Sequence, residues 1–316
     1  MVIQAPSSHT MNPNPETPEA TPDEDAAPPC VLSFNASEPT GAAGLGADIA
    51  AIAAMGAHGL PVVTGVLVRD TADVFEHHAL DDELVAEQAR SVLEDITIGA
   101  WKVGYLGNAE TVAAVAEILS DYPELPLVTY LGGTPWLDDE QQSSYHDALR
   151  ELVLPQTLVL VGAHAVLTEF LLPDWDGSRP ASPRELASAA HKLGAAHVLV
   201  TGISLPNQFV DNVLAGPQGP ITGEKFERFE ASFIGAGDTL SAALAALLAV
   251  GVELHEAVGE ALAFLDQALD AGFQPGMGQV IPDRFFWALP VPEEGEGEAE
   301  TPEDSSANQP PPRRMH

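Results

Sequence analysis

Six short apolar runs, separated by amphipathic segments, constrain the fold of this chain more than any other feature. VLSF (31–34), GLPVVTGVLV (59–68), GAWKVGYL (99–106), PLVTYL (126–131), TLVLVG (157–162) and HVLVTGIS (197–204) read as buried strands. Between them lie GADIAAIAAMGAHG (46–59), LVAEQARSVLEDI (84–96), NAETVAAVAEILSDY (108–122) and SPRELASAAHKLGA (182–195), with apolar residues at helical spacing. Ser182 and Glu185 open the last of these as a capping box. Strand and helix alternating at this spacing predict an α/β fold: a mostly parallel central sheet with helices on both faces, a three-layer sandwich. After residue 204 the pattern changes. QFVDNVLAG and KFERFEASF predict a meander, and a long helix follows from about Asp238. Ligands of such sheets bind at the carboxyl ends of the strands, so the loops there are where function is sought.

The ends of the chain read differently. Residues 1–29 and 291–316 are rich in Pro, Glu, Ala and Gly with little to bury, and disordered acidic tails are expected there. One ordered domain is expected over residues 30–290, and 45% hydrophobic residues are enough to build it. The first 29 residues lack the basic start and apolar core of a signal peptide, and no run reaches the roughly 18 apolar residues of a membrane span. Cys30 is the only cysteine, which excludes an internal disulfide and a cysteine-rich zinc site. A cytoplasmic protein is expected. The formal charge of −35 repels nucleic acid and anionic membranes, so neither is expected as a partner. Any phosphate bound here must be held by local dipoles and a few placed cations.

One junction offers such dipoles. In FIGAGDTLSAALAALLAVG (233–251), Gly235, Ala236 and Gly237 are small enough for backbone to approach an anion. The apolar helix that follows turns its free N–H groups and positive dipole end to the same place. Asp238 stands at that helix start. It can be read as an N-cap after a glycine turn, or as a base beside a phosphate-binding turn that accepts a hydroxyl proton as the oxygen attacks a γ-phosphate.

Further motifs bear on that choice. LSFNASEPTGAAGLGADIAAIAAMGAHG (32–59), KVGYL (102–106), LVLPQ (152–156), GAGDTLSAALAALLAVG (235–251) and QPGMGQVIP (274–282) follow one another in a familiar order and spacing. From Val31 to about Trp287 the chain resembles the ribokinase-like small-molecule kinases. The nearest group is the hydroxymethylpyrimidine and phosphomethylpyrimidine kinases of thiamine biosynthesis, with their AGxDPSGGAGIxAD opening, KIGML strand and GTGCTLSAALAA helix. The resemblance implies a ribokinase-like fold and transfer of phosphate from ATP, with Mg2+, to the hydroxymethyl group of a small heterocyclic alcohol. Hydroxymethylpyrimidine is the default acceptor, and a homodimer is expected. Gly235, Ala236 and Gly237 would form the anion hole. Asp238 would be the catalytic base, at a position where most pyrimidine kinases of this group carry cysteine and other ribokinase-like enzymes the catalytic aspartate. Asp48, carried over as a substrate contact, keeps the acid of the family's AD pair, and Lys102 the lysine of the KIG strand.

The resemblance also marks departures at functional positions. The pyrimidine-binding glycine near the first strand is Ala36, and the glutamine that reads the pyrimidine is replaced by Arg69, which has only donors to offer. Arg69 could hold a phosphate or carboxylate, or pair at the surface with Asp70 or Asp73. Where the family strand ends DPVM, this one runs Thr129, Tyr130, Leu131, with Leu131 carried over as a substrate contact. Ala163 and Val166 occupy the Asn and Glu positions that help organise magnesium. Glu169, one helical turn on, is a candidate metal-organising acid or an ordinary helix residue. Thr201 replaces a lysine before the nucleotide loop and is assigned to ATP binding. Tyr105 and Trp136 could stack on a flat ring or serve packing alone. His146, His164 and His191 lack ligand spacing. Two alternatives stay open beside the pyrimidine kinase: a pyridoxal or pyridoxine kinase, and a catalytically quiet relative that binds a ligand or a partner.

Overall fold

Alternation along the apolar runs becomes alternation between the two faces of one sheet. The computed structural model describes residues 27–288, so the tails expected at 1–29 and 291–316 lie outside the described residues, apart from 27–29. In chain order the main elements are β1 (Cys30–Ser37), α1 (Gly44–Ala54), β2 (His58–Arg69), β3 (Val74–Ala79), α2 (Asp82–Leu93), β4 (Ala100–Val103) and α3 (Ala109–Ser120). Then come β5 (Leu127–Leu131), α4 (Asp139–Ala148), β6 (Val159–Ala163), α5 (His164–Leu171), α6 (Pro183–Lys192) and β7 (His197–Ser204). The chain closes with β8 (Phe209–Gly216), β9 (Gly219–Glu227), α7 (Ala236–Val250) and α8 (Leu254–Asp270). The nine strands form one sheet in the order β3-β2-β1-β4-β5-β6-β7-β8-β9. The pairs from β2 through β7 are parallel, while β3, β8 and β9 join antiparallel at the edges.

The sandwich expected from the sequence is the one observed, and its two cores divide by residue parity. Leu32, Phe34, Trp101, Leu127, Leu131 and Leu160 face a core shared with α2, α3 and α6. Val31, Ala100, Val128, Val159, Val161 and Leu199 face the opposite core, shared with α1, α7 and α8. Strands buried on both sides must be apolar at successive positions, which is why they read as runs. The capping box of α6 is present: Ser182 Oγ accepts from Glu185 N–H at 3.3 Å, and a Glu185 oxygen accepts from Ser182 N–H at 2.9 Å. A hydrogen bond from Arg179 to Glu185 holds that carboxyl down at about 2.

Three elements escaped the sequence analysis. β3 is exposed and polar, α4 has one buried residue, Tyr145, and α8 follows α7 after a break at Gly251. The second strand of the expected meander starts earlier, at Gly219, and ends at Glu227. The most consequential shift is in α7. Its first residue is Ala236 and its N-cap is Gly235, with φ 78°, so Asp238 lies inside the first turn instead of capping it.

Central burial sets a stability expectation. Leu160, 1% exposed on β6, should cost about 2–5 kcal/mol when replaced by alanine, whereas Ile221→Ala on exposed β9 should stay within about 0.5 kcal/mol, both read from urea unfolding.

Candidate active site

The parity that builds the second core also aims polar side chains at one point. On β1, Ser33 and Asn35 share the face of Val31; on β4, Lys102 shares the face of Ala100. All three therefore turn toward α1 and α7, where Asp48 and Asp238 meet them. Lys102 Nζ lies 2.7 Å from Asp48 Oδ1 and 3.0 Å from Asp238 Oδ1. Ser33 Oγ donates to Asp48 Oδ2 at 2.7 Å. Asn35 Nδ2 donates to Asp48 Oδ2 at 2.9 Å and to Asp238 Oδ1 at 2.8 Å. Its Oδ1 accepts the backbone N–H groups of Ala36 and Tyr105 at 2.9 and 3.0 Å. The amide thus uses its two donors and both acceptor positions. Gly104 leaves it room, since a Cβ there would run into the Asn35 side chain.

Two carboxylates share one ammonium, with Lys102 and Asp48 fully buried. Burial pushes the Lys102 ammonium toward its neutral form, but Asp48 and Asp238 outweigh that and hold its pKa above the ordinary lysine value. Burial pushes the Asp48 carboxyl up; Lys102 opposes this, and the second carboxylate, Asp238, reinforces it. The stable arrangement is a charged Lys102 between the two acids.

Asp238 is the member of this group that reaches open space. Its side chain is 11% exposed, against 0% for Lys102 and Asp48. Oδ1 is taken by Lys102 and Asn35, while Oδ2 accepts the N–H of Gly44 at 3.1 Å and keeps one lone pair free. Gly44 is the first residue of α1, whose N-cap Ala43 supplies no side-chain cap. The carboxylate therefore caps a neighbouring helix, and the N-cap alternative for its own helix is overturned. In α7 the first backbone bond runs from Thr239 N–H to Gly235 O at 2.9 Å. The N–H groups of Ala236, Gly237 and Asp238 find no protein acceptor among the described residues. Gly235 is needed twice over: its φ is left-handed, and a Cβ would collide with Ala42 O. Arg284 locks this corner by donating from Nε to Thr239 Oγ1 at 2.8 Å and from Nη2 to Ala42 O.

Above Asp238 opens a cavity of about 390 Å³ at the carboxyl ends of β1, β2, β4 and β5. The sheet order places it where the chain, having run from β1 outward to β2, restarts on the other side with β4. Of the residues expected at the site, Ala36, Arg69, Tyr105, Leu131, Gly235 and Asp238 line it. Asp48 lies beneath the floor, and Gly237 lies under the ring of Tyr130, where a Cβ would collide with the phenol. Ala236 is partly exposed beside them. Tyr105 is held by a bond from its hydroxyl to Gly107 O at 2.8 Å, and its ring meets Trp136 and Tyr145 edge-on or tilted at 5.4 Å. These rings make an aromatic wall.

Arg69 stands on the same cavity, with Nε donating to Asp70 O at 3.0 Å. The surface pairing with Asp70 or Asp73 is not made: Asp70 Oδ1 is occupied by the N–H groups of Ala72 and Asp73 at 2.7 and 2.9 Å. Burial pushes the Arg69 pKa down, against the pull of Glu38 and Asp70.

Two expected site residues lie elsewhere. Glu169, on α5, lines a separate hollow with His164, Trp175 and Arg179. Thr201 is absent from the cavity wall; its hydroxyl donates to Gly162 O at 3.2 Å within the sheet. Thr129, on the other parity of β5, bonds Thr157 at 2.8 Å away from the site. Among the described residues no three His, Cys, Asp or Glu side chains group to hold a metal ion. Sequence reasoning missed Ser33, Asn35, Tyr130 and Arg284. Asn35 carried a signal, because asparagine is depleted in buried strands unless its amide is used. Arg284 had none, as its role depends on where residues 41–42 end up.

Breaking the cluster at its cation should be severe. Lys102→Met leaves two buried carboxylates unpaired and is expected to cost about 3–5 kcal/mol in urea unfolding at pH 7, part of it recovered in Lys102→Met/Asp238→Asn. Because Lys102 binds its proton more tightly when folded, its contribution is complete below the ordinary value of 10.5 and fades as pH climbs through the higher folded value. That alkaline loss should be missing from Lys102→Met.

The phosphomethylpyrimidine kinase family model matches residues 38–283. The hydroxymethylpyrimidine/phosphomethylpyrimidine kinase of Mycobacterium leprae is 31% identical over 267 residues, covering 78% of this chain and 91% of the relative. The enzyme of the same name from Streptomyces coelicolor is 32% identical over 266 residues, covering 83% and 96%. Among solved structures, a Staphylococcus aureus pyridoxal kinase in complex with AMP-PCP and pyridoxal superposes with TM-score 0.72 at 21% identity, over 83% of this chain and 96% of that one. The Clostridium difficile phosphomethylpyrimidine kinase gives 0.62 at 23% identity, over 76% and 99%. At these identities the two structures speak to the fold, which is ribokinase-like. The family model and the two relatives settle the membership: the chain belongs to the phosphomethylpyrimidine kinase family.

Proposed function

We propose that this protein is an ATP-dependent kinase of thiamine biosynthesis. It phosphorylates the hydroxymethyl group of 4-amino-5-hydroxymethyl-2-methylpyrimidine and, in a second round, the resulting monophosphate. The observation that carries this reading is Asp238, with a free Oδ2 position on the cavity wall beside the unbonded N–H groups of Ala236 and Gly237. The acceptor alcohol lies in the cavity against the aromatic wall, its oxygen within reach of Oδ2. As the oxygen attacks the γ-phosphate, Asp238 takes its proton and the start of α7 steadies the charge gathering on the phosphoryl group.

Arg69 and Leu131 border the acceptor, and Ala36 narrows the space beside the first strand. Asp48 contributes by holding Lys102, which in turn fixes the direction of Asp238. ATP is expected to carry magnesium on its phosphates. The described carboxylates do not converge on a metal position, since Asp48 and Asp238 are engaged with Lys102 and Glu169 stands apart, so no step is assigned to the metal. A homodimer fits the exposure of Val66, Val68 and Phe75 on the β2–β3 ribbon, and sedimentation velocity measures it directly. A cytoplasmic location without nucleic-acid partners accords with the acidity of the chain and with the lack, among the described residues, of any helix long and apolar enough to cross a membrane.

ATP consumption measured with the pyrimidine alcohol, its monophosphate and pyridoxal tests the proposal. The pyrimidine substrates should be preferred; faster turnover of pyridoxal would replace the assignment, and no turnover with any acceptor would leave a binding protein. Asp238→Asn should lower kcat by about 10²–10⁴-fold, the range expected for loss of a general base, while ADP binding seen by calorimetry persists. Full activity in that variant would remove Asp238 from the chemistry.

A further inference from the structure

Tyr130 lies at the end of β5 on the parity of Val128, so its ring faces α7. The ring rests on Gly237, the second residue of that helix, in the space a Cβ would fill. A helical Cβ leans toward the N-terminus, so the phenol lies beside the opening turn, next to the three N–H groups that have no protein acceptor among the described residues. The hydroxyl end also approaches Gly132 and borders the cavity, and no hydrogen bond to it is made by the described residues. A buried phenol usually has a partner for its hydroxyl.

Two of the three cations near this cavity are otherwise occupied, and the third, Arg69, stands at the acceptor side. Lys102 Nζ, 5.7 Å from the centre of the Tyr130 ring, is held by Asp48 and Asp238. Arg284 is held by Thr239 and Ala42. At the start of α7 itself, the groups left to meet an arriving charge are neutral donors.

We propose that the Tyr130 hydroxyl is a further catalytic donor, hydrogen-bonding an oxygen of the phosphoryl group while that group is held at the start of α7. The inference rests on the kinase reading above. Burial, together with the negative charge of Asp238 and Asp48, pushes the phenol pKa well up, so the hydroxyl keeps its proton and acts as a donor only. No proton changes hands at Tyr130. Phosphoryl transfer spreads charge over three equatorial oxygens, and a donor aimed at that developing charge acts mainly on the transition state.

The test compares the full-length protein with Tyr130→Phe, which removes only the hydroxyl and should melt within a degree or two of it. Tyr130→Phe should lower kcat and kcat/KM together by about 10²-fold, with little change in the KM for ATP. Calorimetry with orthovanadate in the presence of ADP gives a readout independent of turnover; affinity should fall about tenfold in Tyr130→Phe, while ADP alone binds both proteins equally. Unchanged kcat or unchanged vanadate affinity would overturn the proposal. Faster turnover in Tyr130→Phe or Tyr130→Ala would overturn it too, by showing that the ring obstructs the phosphate. Should the wild-type protein phosphorylate no acceptor, the kinase reading is what fails, and the vanadate comparison still decides whether Tyr130 serves an oxyanion.

Discussion

One ammonium divided between two aspartates holds the working part of this molecule together. Lys102 comes from the sheet, Asp48 from α1 and Asp238 from α7, and the three meet beneath the floor of the cavity with Asp238 alone reaching it. Removing charges from water is costly, and an apolar trio of the same volume would often stabilise a fold at least as well. What the ions add is direction. A carboxylate bound by Lys102 and Asn35 on one oxygen and by Gly44 on the other has little freedom to turn. Its remaining lone pair then points where the packing dictates.

The same contact reconciles a very acidic chain with a site meant for phosphates. A net charge of −35 works against binding an anion, and the three cations near the cavity are few. Lys102 is neutralised in place, Arg284 serves as a clamp, and Arg69 stands at the acceptor side. The attraction for phosphate is left to backbone dipoles. Two helix N-termini converge on Asp238, that of α1 through Gly44 and that of α7 through its own first turn. A fixed dipole needs no counter-ion and no reorganisation when charge arrives.

The sheet and its layers were legible because burial on both faces forces strands into continuous apolar runs, and the helices between them had to cover those faces. β3 was not legible, since an exposed edge strand such as VFEHHA carries no such mark. The region of the site was legible for a local reason: GAGD joins a flexible turn to a helix start. Its arrangement was not. Asp238 looked like a cap for its own helix, yet it caps α1, some 190 residues away in sequence, because the spacing of 235–238 says nothing of what packs against it. Asn35 and Tyr130 were hidden for a related reason, as strand parity gives each a face without naming what stands opposite. Glu169 and Thr201 show the converse case, where correspondence of position suggested a role and the fold places both residues off this cavity.

Arg284 carries a consequence for how the chain is made. Ser33, Asn35, Asp48 and Lys102 leave the ribosome early, so the first strands can pair and bring one acid to the ammonium. The second acid arrives more than a hundred residues later, and the guanidinium that fastens residues 41–42 to α7 comes some 45 residues after that. Until then Asn35 and Gly44 can already hold Asp238, but residues 41–42 lack their clamp to α7. Contacts this distant in sequence form slowly and last, and a nascent protein waiting for them exposes half-built strands to its neighbours. Synthesis halted short of Arg284 would therefore release a chain with most of its sheet and an unclamped corner at the start of α7, a natural client for chaperones.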